Sequence, residues 1–230
     1  MKYSILLMDA DGTLFDFLKA EKTALVRTLQ KFSLPHNDIW VNTYSNINDS
    51  LWKALERGEI TKDALRLERF RRLLVHFSVN GDMGAIAQCY TDELSHGAFL
   101  LPGAMDVCRE LSKVCRLFII TNGIKEVQSR RFADSGLSPY FEKCYISDSV
   151  GFEKPDVRFF EHVMADIPGF EADKALVVGD SLTSDILGAN RAGLDCCWLR
   201  AVGKSVPDTV HVEYCIEDIR ELPGVLGVKE

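Results

Sequence analysis

The 230-residue sequence has no CxxC pair, no low-complexity stretch, no internal repeat and no long apolar run. Each absence excludes something. Seven cysteines, an odd number without metal-ligand spacing, argue against a zinc or disulfide framework and for reduced cysteines on apolar faces, Cys89, Cys108 and Cys115 among them. No window approaches the ~20 apolar residues of a spanning helix, which excludes a membrane protein of that kind. Nor is there an excess of basic residues: 27 Lys and Arg face 34 Asp and Glu, a net charge of −7. Nothing therefore draws the chain to a nucleic acid polymer or an anionic membrane. The first apolar run, Ile5–Met8, is too short for a signal peptide and ends in acidic residues, so a cytoplasmic protein is expected.

What is present is a well-mixed composition, 47% hydrophobic and 27% charged, enough for one substantial core or a core with a smaller appended domain. Three short apolar runs end in polar residues. Ile5-Leu6-Leu7-Met8 ends at Asp9, Leu117-Phe118-Ile119-Ile120 at Thr121-Asn122-Gly123, and Ala175-Leu176-Val177-Val178 at Gly179-Asp180. Cys144–Ser147 and Cys196–Leu199 are weaker versions, and Cys196 and Cys197 should point to opposite faces of a strand. Between them lie helical patterns: Ala104, Val107, Cys108, Leu111, Val114 and Cys115; then Phe159, Phe160, Val163 and Met164; then Ile186, Leu187, Ala189 and Ala192. Continuous apolar strands alternating with helices predict an α/β fold, a doubly wound parallel sheet covered on both faces.

From about Lys19 to Phe99 the alternation stops. Stripes at Leu18, Leu25, Leu29 and Phe32, at Leu67, Phe70, Leu74 and Phe77, and at Ile86, Tyr90 and Leu94 predict an inserted all-helical domain over 17–99. The α/β core is then 1–16 with 100–230, with hinges near Asp16-Phe17 and over His96–Pro102.

Ligands of open α/β sheets bind at the carboxyl ends of the strands. Asp9 and Asp11 stand two apart at one such end, where like charges repel unless a cation or a division of labour intervenes. Asp11-Gly12 alone reads equally well as a turn. A magnesium ion against the Asp9 carboxylate would take further oxygens from Asp180 and a backbone carbonyl. Thr121 alone is a helix N-cap; within the cluster it offers a hydroxyl to a phosphate oxygen, and the N–H groups of Asn122 and Gly123 add donors. Lys154 alone is a solvated lysine; beside Pro155 it is a candidate point charge for phosphate. Asp180 alone caps a helix, and Asp185, five residues on, would hold a metal-bound water or brace Lys154. A phosphate site is also the way a chain of charge −7 would draw in an anion, through a local cation, a lysine or helix N-termini.

Four stretches, DADGTLFD (Asp9–Asp16), IITNG (Ile119–Gly123), GFEKPD (Gly151–Asp156) and VVGDSLTSDILGANRAG (Val177–Gly193), resemble, in their order, the motifs of the haloacid dehalogenase superfamily of phosphatases. The helical insertion resembles that superfamily's first type of cap. SLWKALERGEIT (Ser50–Thr61) and FLLPGA (Phe99–Ala104) are similar to the YjjG-type 5′-nucleotidases, which act on nucleoside monophosphates. The resemblance implies an Asp9 nucleophile that forms an aspartyl phosphate and an Asp11 acid/base. It implies phosphate contacts from Thr121, Asn122 and Lys154, and Mg2+ held by the Asp9 side chain, the Asp11 carbonyl and Asp180, with Asp185 nearby. The implied partner is a small phosphate monoester, a nucleoside 5′-monophosphate first, and the implied cap closes over the site; a monomer is the default expectation, not read from the resemblance. An aspartate at position 11 suits ester cleavage, which needs an acid for the leaving oxygen. A sugar-phosphate phosphatase or mutase shares the pair, and a phosphate-accepting regulatory module shares the acidic residues, threonine and lysine. Trp52, Lys53, Phe17 and Tyr44 are the candidates for base or ribose contact within the insertion.

Overall fold

Strand-forming runs buried on both sides need a layer of helices on each face, and the computed structural model, which describes residues 2–201, 203 and 205–228, has that arrangement. Strands β1 (Ile5–Met8), β2 (Arg116–Thr121), β3 (Lys143–Ile146), β4 (Ala175–Gly179), β5 (Asp195–Leu199) and β6 (Tyr214–Ile216) form one sheet in the order β3-β2-β1-β4-β5-β6, with every neighbouring pair parallel. Side chains alternate between two cores. Leu6, Met8, Leu117, Ile119, Leu176, Val178 and Cys197 face one; Ile5, Leu7, Phe118, Ile120, Val177, Cys196 and Trp198 face the other. Cys196 and Cys197 thus part as their adjacency requires.

The chain divides into two compact units, Met1–Asp16 with Phe99–Glu230, and Phe17–Ala98. The second holds four helices, α1 (Phe17–Lys31), α2 (Asp38–Glu56), α3 (Lys62–His76) and α4 (Met83–Ser95). In the first, α5 (Ala104–Leu111) covers one face of the sheet through Ala104, Val107, Cys108 and Leu111. Following β2 and β3 are α6 (Lys125–Asp134) and the one-turn α7 (Ser147–Val150). α8 (Val157–Asp166) covers the opposite face with Phe159, Phe160 and Val163, joined by Ala189 of α9 (Leu187–Arg191). The two strands of chain that lead out of and back into this unit run side by side: Asp16 N–H donates to Phe99 O at 2.9 Å and Leu101 N–H to Leu14 O at 2.9 Å.

Helices α2, α3 and α4 start at side-chain caps, Asn37 accepting from Trp40 N–H, Thr61 from Ala64 N–H and Asp82 from Ala85 N–H. Inside it Tyr44, Phe70 and Tyr90 pack ring on ring, with centroids 5.3 Å apart in each pair, and Arg69 lays its guanidinium 4.5 Å from the Tyr90 centroid. Glu21, also buried, accepts from Asn48 Nδ2 at 2.7 Å and from the Ser45 hydroxyl. Polar groups inside the bundle are why its helical pattern is weak in places.

Several expectations are corrected here. Helix α2 has no predicted stripe, because its buried face mixes Asn48 with Trp40, Val41, Tyr44, Leu51 and Leu55. Leu18 and Leu67, placed in apolar stripes, are 75% and 47% exposed. Val114 is exposed because α5 ends at Leu111. Ser147 begins α7 rather than ending β3. Strand β6 was not foreseen: three residues at the sheet edge, with Cys215 exposed, carry no apolar run. No described helix is long and apolar enough to cross a membrane.

Leu176 lies in central strand β4 with no exposed surface. Leu176→Ala should cost about 2–5 kcal/mol, read as a lower urea midpoint with an unchanged slope.

Candidate active site

Strand β1 lies between β2 and β4, so the residues just beyond these three strands meet at one edge of the sheet. Asp9 follows β1, its N–H donating to Val178 O at 2.8 Å. Thr121 ends β2, and Asp180 follows β4. Lys154 comes from the loop after α7, and its amino group reaches back among them.

Lys154 is 1% exposed, and its ammonium makes three hydrogen bonds, the full number it has to give. They go to Asp9 Oδ1 at 2.7 Å, Asp185 Oδ1 at 2.6 Å and Ile120 O at 2.8 Å. Burial works against the charged amine, but Asp185 and Asp9 outweigh it and hold Lys154 above its ordinary pKa. The other oxygen of Asp185 accepts from Ser181 N–H at 3.1 Å, so this carboxylate braces the lysine. The Asn122 side chain holds the lysine from behind: its Oδ1 accepts from Lys154 N–H and its Nδ2 donates to Lys154 O, both at 2.8 Å. That side chain therefore serves the lysine's backbone, and what Asn122 retains for an anion is its own N–H.

The carboxylates are crowded. Oxygens of Asp9, Asp180 and Asp185 lie within 4.8 Å of one another. Burial pushes the Asp9 carboxyl well above the usual range against the pull of Lys154, and Asp185 and Asp180 push it further. Asp180 opens to solvent at one side but is otherwise enclosed by protein; that burial and the Asp185 charge push it up to about 7. Three carboxylates against one ammonium leave a formal charge of −2. A divalent cation would neutralise that charge, and oxygen donors are what magnesium takes. Asp9 and Asp180 are the natural holders, since Asp185 spends both oxygens on Lys154 and Ser181.

Two glycines make room for this crowding. At Gly12, which has φ +89°, an added Cβ would stand 2.5 Å from Asp180 Oδ2, and at Gly179 it would stand 2.3 Å from Asp185 Oδ2.

Asp11 does not join the acidic cluster. Its Oδ1 accepts from Arg131 Nη1 at 2.5 Å and its Oδ2 from Gln128 Nε2 at 2.6 Å. Gln128 Nε2 also donates to Thr121 Oγ1 at 2.8 Å. Sequence reasoning missed Gln128 and Arg131. The available signal was a glutamine and an arginine three apart on α6, hence on one helix face, in a segment with almost no apolar residues to bury.

The four insertion residues named for substrate contact have the following places. Tyr44 is wholly buried among aromatic rings. Trp52 packs on the Leu51, Leu55 and Leu65 cluster, Lys53 is exposed and pairs with Asp49 at 2.6 Å, and Phe17, at the start of α1, is half-buried.

The chain that forms this sheet edge, with acidic residues after β1 and β4, a threonine at the end of β2 and a buried lysine between, has relatives among known proteins. Residues 3–193 match the model of the haloacid dehalogenase-like hydrolases. The chain belongs to that family, and it is a hydrolase. Among its relatives is the HAD-hydrolase YfnB of Bacillus subtilis, 37% identical over 99% of this chain and 97% of that one. The pyrimidine 5′-nucleotidase PynA of Streptococcus pneumoniae is 40% identical over 86% and 84% of the two chains, and the pyrimidine 5′-nucleotidase YjjG of Escherichia coli is 30% identical over 98% and 99%. A crystal structure of YfnB bound to magnesium superposes with a TM-score of 0.94, at 36% identity over 98% of this chain and 99% of that one.

Lys154→Met would leave Asp9 and Asp185 buried without their cation, a loss of about 3–5 kcal/mol at neutral pH. Because protonation relieves an unpaired buried carboxylate, the deficit should shrink from pH 8 to pH 5, as measured by urea unfolding at each pH.

Proposed function

We propose that this protein hydrolyses phosphate monoesters with Asp9 as nucleophile, and that its substrates are nucleoside 5′-monophosphates. The observation that carries the reading is the buried Asp9–Lys154–Asp185 chain beside Asp180, a nucleophile-ready carboxylate next to an uncompensated charge of −2. The substrate class rests on the likeness to two pyrimidine 5′-nucleotidases along most of the chain. Magnesium fits the donor set, with the Asp9 side chain, the Asp11 carbonyl and Asp180 as its holders; when bound, it supplies positive charge for the phosphoryl group.

In the first step Asp9 attacks phosphorus, the P–O bond to the nucleoside breaks, and the departing oxygen takes a proton from the Asp11 carboxyl. In the second, water attacks the aspartyl phosphate, gives its proton to the Asp11 carboxylate and frees Asp9 with inorganic phosphate. Thr121 and the Asn122 N–H donate to phosphoryl oxygens, while Lys154, its three protons spent on Asp9, Asp185 and Ile120, supplies positive charge beside them. No outside reactant beyond water is consumed. A cytoplasmic monomer is the form in which we expect this activity.

Purified protein with magnesium should release phosphate from UMP, dUMP or dTMP. Good turnover of sugar phosphates with none of the nucleotides would remove the substrate assignment and leave the chemistry. Asp9→Asn should lower turnover to below about one thousandth, and near-normal activity in that variant would refute the covalent route. Cation binding should also raise the melting temperature, because a ligand of the folded state stabilises it. Asp180, raised to about 7, favours the proton over the cation at low pH, so the rise with magnesium should be larger at pH 8 than at pH 5. No rise beyond that given by equal ionic strength of sodium chloride would count against a cation at this cluster.

A further inference from the structure

We infer that Gln128 and Arg131, on α6, are positioning residues that fix the acid/base Asp11 and set the hydroxyl of Thr121 as a donor; this rests on the hydrolytic reading above. Four observations carry it. First, each oxygen of Asp11 has its own donor, Arg131 Nη1 on Oδ1 and Gln128 Nε2 on Oδ2, which together fix both the position and the plane of the carboxylate. A carboxylate offers about four lone-pair sites, so two remain for a substrate or water proton.

Second, both positioning groups are themselves immobilised. Arg131 is 0% exposed, lies over the Phe15 ring with 4.6 Å to its centroid, and gives a further hydrogen bond from Nη1 to Gln128 Oε1 at 3.1 Å. Phe15 belongs to the same turn as Asp11: its carbonyl accepts from Gly12 N–H at 2.9 Å, and its N–H donates to Ala10 O at 2.8 Å. The backbone under Asp11 and the cation beside it thus share one support. The orientation of the Gln128 amide follows from its neighbours, since its nitrogen must face the carboxylate and its oxygen the guanidinium.

Third, the same amide nitrogen that holds Asp11 donates to Thr121 Oγ1 at 2.8 Å, and Gly123 N–H donates to that oxygen at 3.1 Å. A hydroxyl has two acceptor sites and one proton. With both sites filled, Thr121 acts toward a phosphoryl oxygen as a donor only. Gln128 therefore ties the group that moves protons to a group that holds phosphate.

Fourth, the backbone makes way for this amide. A Cβ at Gly123 would stand 2.3 Å from Gln128 Nε2 and 2.6 Å from its Cδ, while the backbone of Gly123 lies outside the left-handed region. Glycine at 123 is thus required by the side chain above it, not by a turn.

The test measures kcat/KM with magnesium on a nucleoside 5′-monophosphate, whose alkoxide must be protonated as it leaves, and on p-nitrophenyl phosphate, whose phenolate leaves without help. With a hydrogen bond to a charged group lost, Arg131→Met should lower the nucleotide value about 10- to 100-fold, and the aryl value less than about threefold. Arg131→Lys should recover most of the loss. Gln128→Met should lower both values, the nucleotide's more, because Thr121 loses its fixed role as well. Gln128→Glu, equal in size but bringing a carboxylate against Asp11, should be the worst of the set. Should Arg131→Met fold poorly, Gly123→Ala, which displaces the Gln128 amide and leaves α6 intact, should reproduce the Gln128→Met pattern. Equal losses on both esters for Arg131→Met, or no loss on either, would overturn the inference. Wild-type protein inactive on both esters would instead overturn the hydrolytic reading beneath it.

Discussion

The ammonium of Lys154 is the interaction on which the arrangement at the sheet edge depends. It brings together residues from four separate segments: Asp9 after β1, Ile120 in β2, the loop after α7, and Asp185 after β4. An amine buried to 1% exposure must place its three protons on protein acceptors, and two of those acceptors are charged. Remove it and two carboxylates are stranded in a low-dielectric interior. Keep it and the carboxylates come close enough to present an excess of negative charge at the mouth of a parallel sheet.

A second network stands beside the first and is separate from it. Asp11, Gln128, Arg131 and Thr121 form a set in which the Gln128 amide nitrogen donates to Asp11 and Thr121, and Arg131 Nη1 to Asp11 and the Gln128 oxygen. The pairing of Asp11 with Arg131 removes one carboxylate from the crowd around Asp9. The two aspartates of the DAD motif, which electrostatics alone would set against each other, are thereby given different neighbours: a lysine and two acids for one, an arginine and an amide for the other. Division of labour between two carboxyls follows from such differences in surroundings.

Glycines link the motifs to these networks. Gly12 lies under Asp180, from a distant segment, while Gly123 and Gly179 lie under side chains a few residues on, Gln128 and Asp185. In the sequence they look like punctuation after apolar strands, which is also true of Gly12 with its positive φ. Their further meaning, that a methyl group there would strike a carboxylate or an amide, depends on chain segments up to 168 residues away, the separation of Gly12 and Asp180. For Gly12 nothing local in the sequence records it.

The sequence alone carries the parallel sheet, the helical insertion and the three strand ends that bear Asp9, Thr121 and Asp180. The physical reason is that an apolar run buried on both faces, and the polar residue that stops it, are local patterns. It left unseen what lacks such a pattern: α2, whose buried face includes Asn48; β6, three residues at an edge; and Gln128 and Arg131, polar side chains on a helix with scarcely any apolar stripe. It offered the Asn122 N–H to an anion but did not show that the Asn122 side chain is taken up with the Lys154 backbone. The folded chain alone settles these, because the partner of a polar group is set by which segment the fold brings within about 3 Å of it.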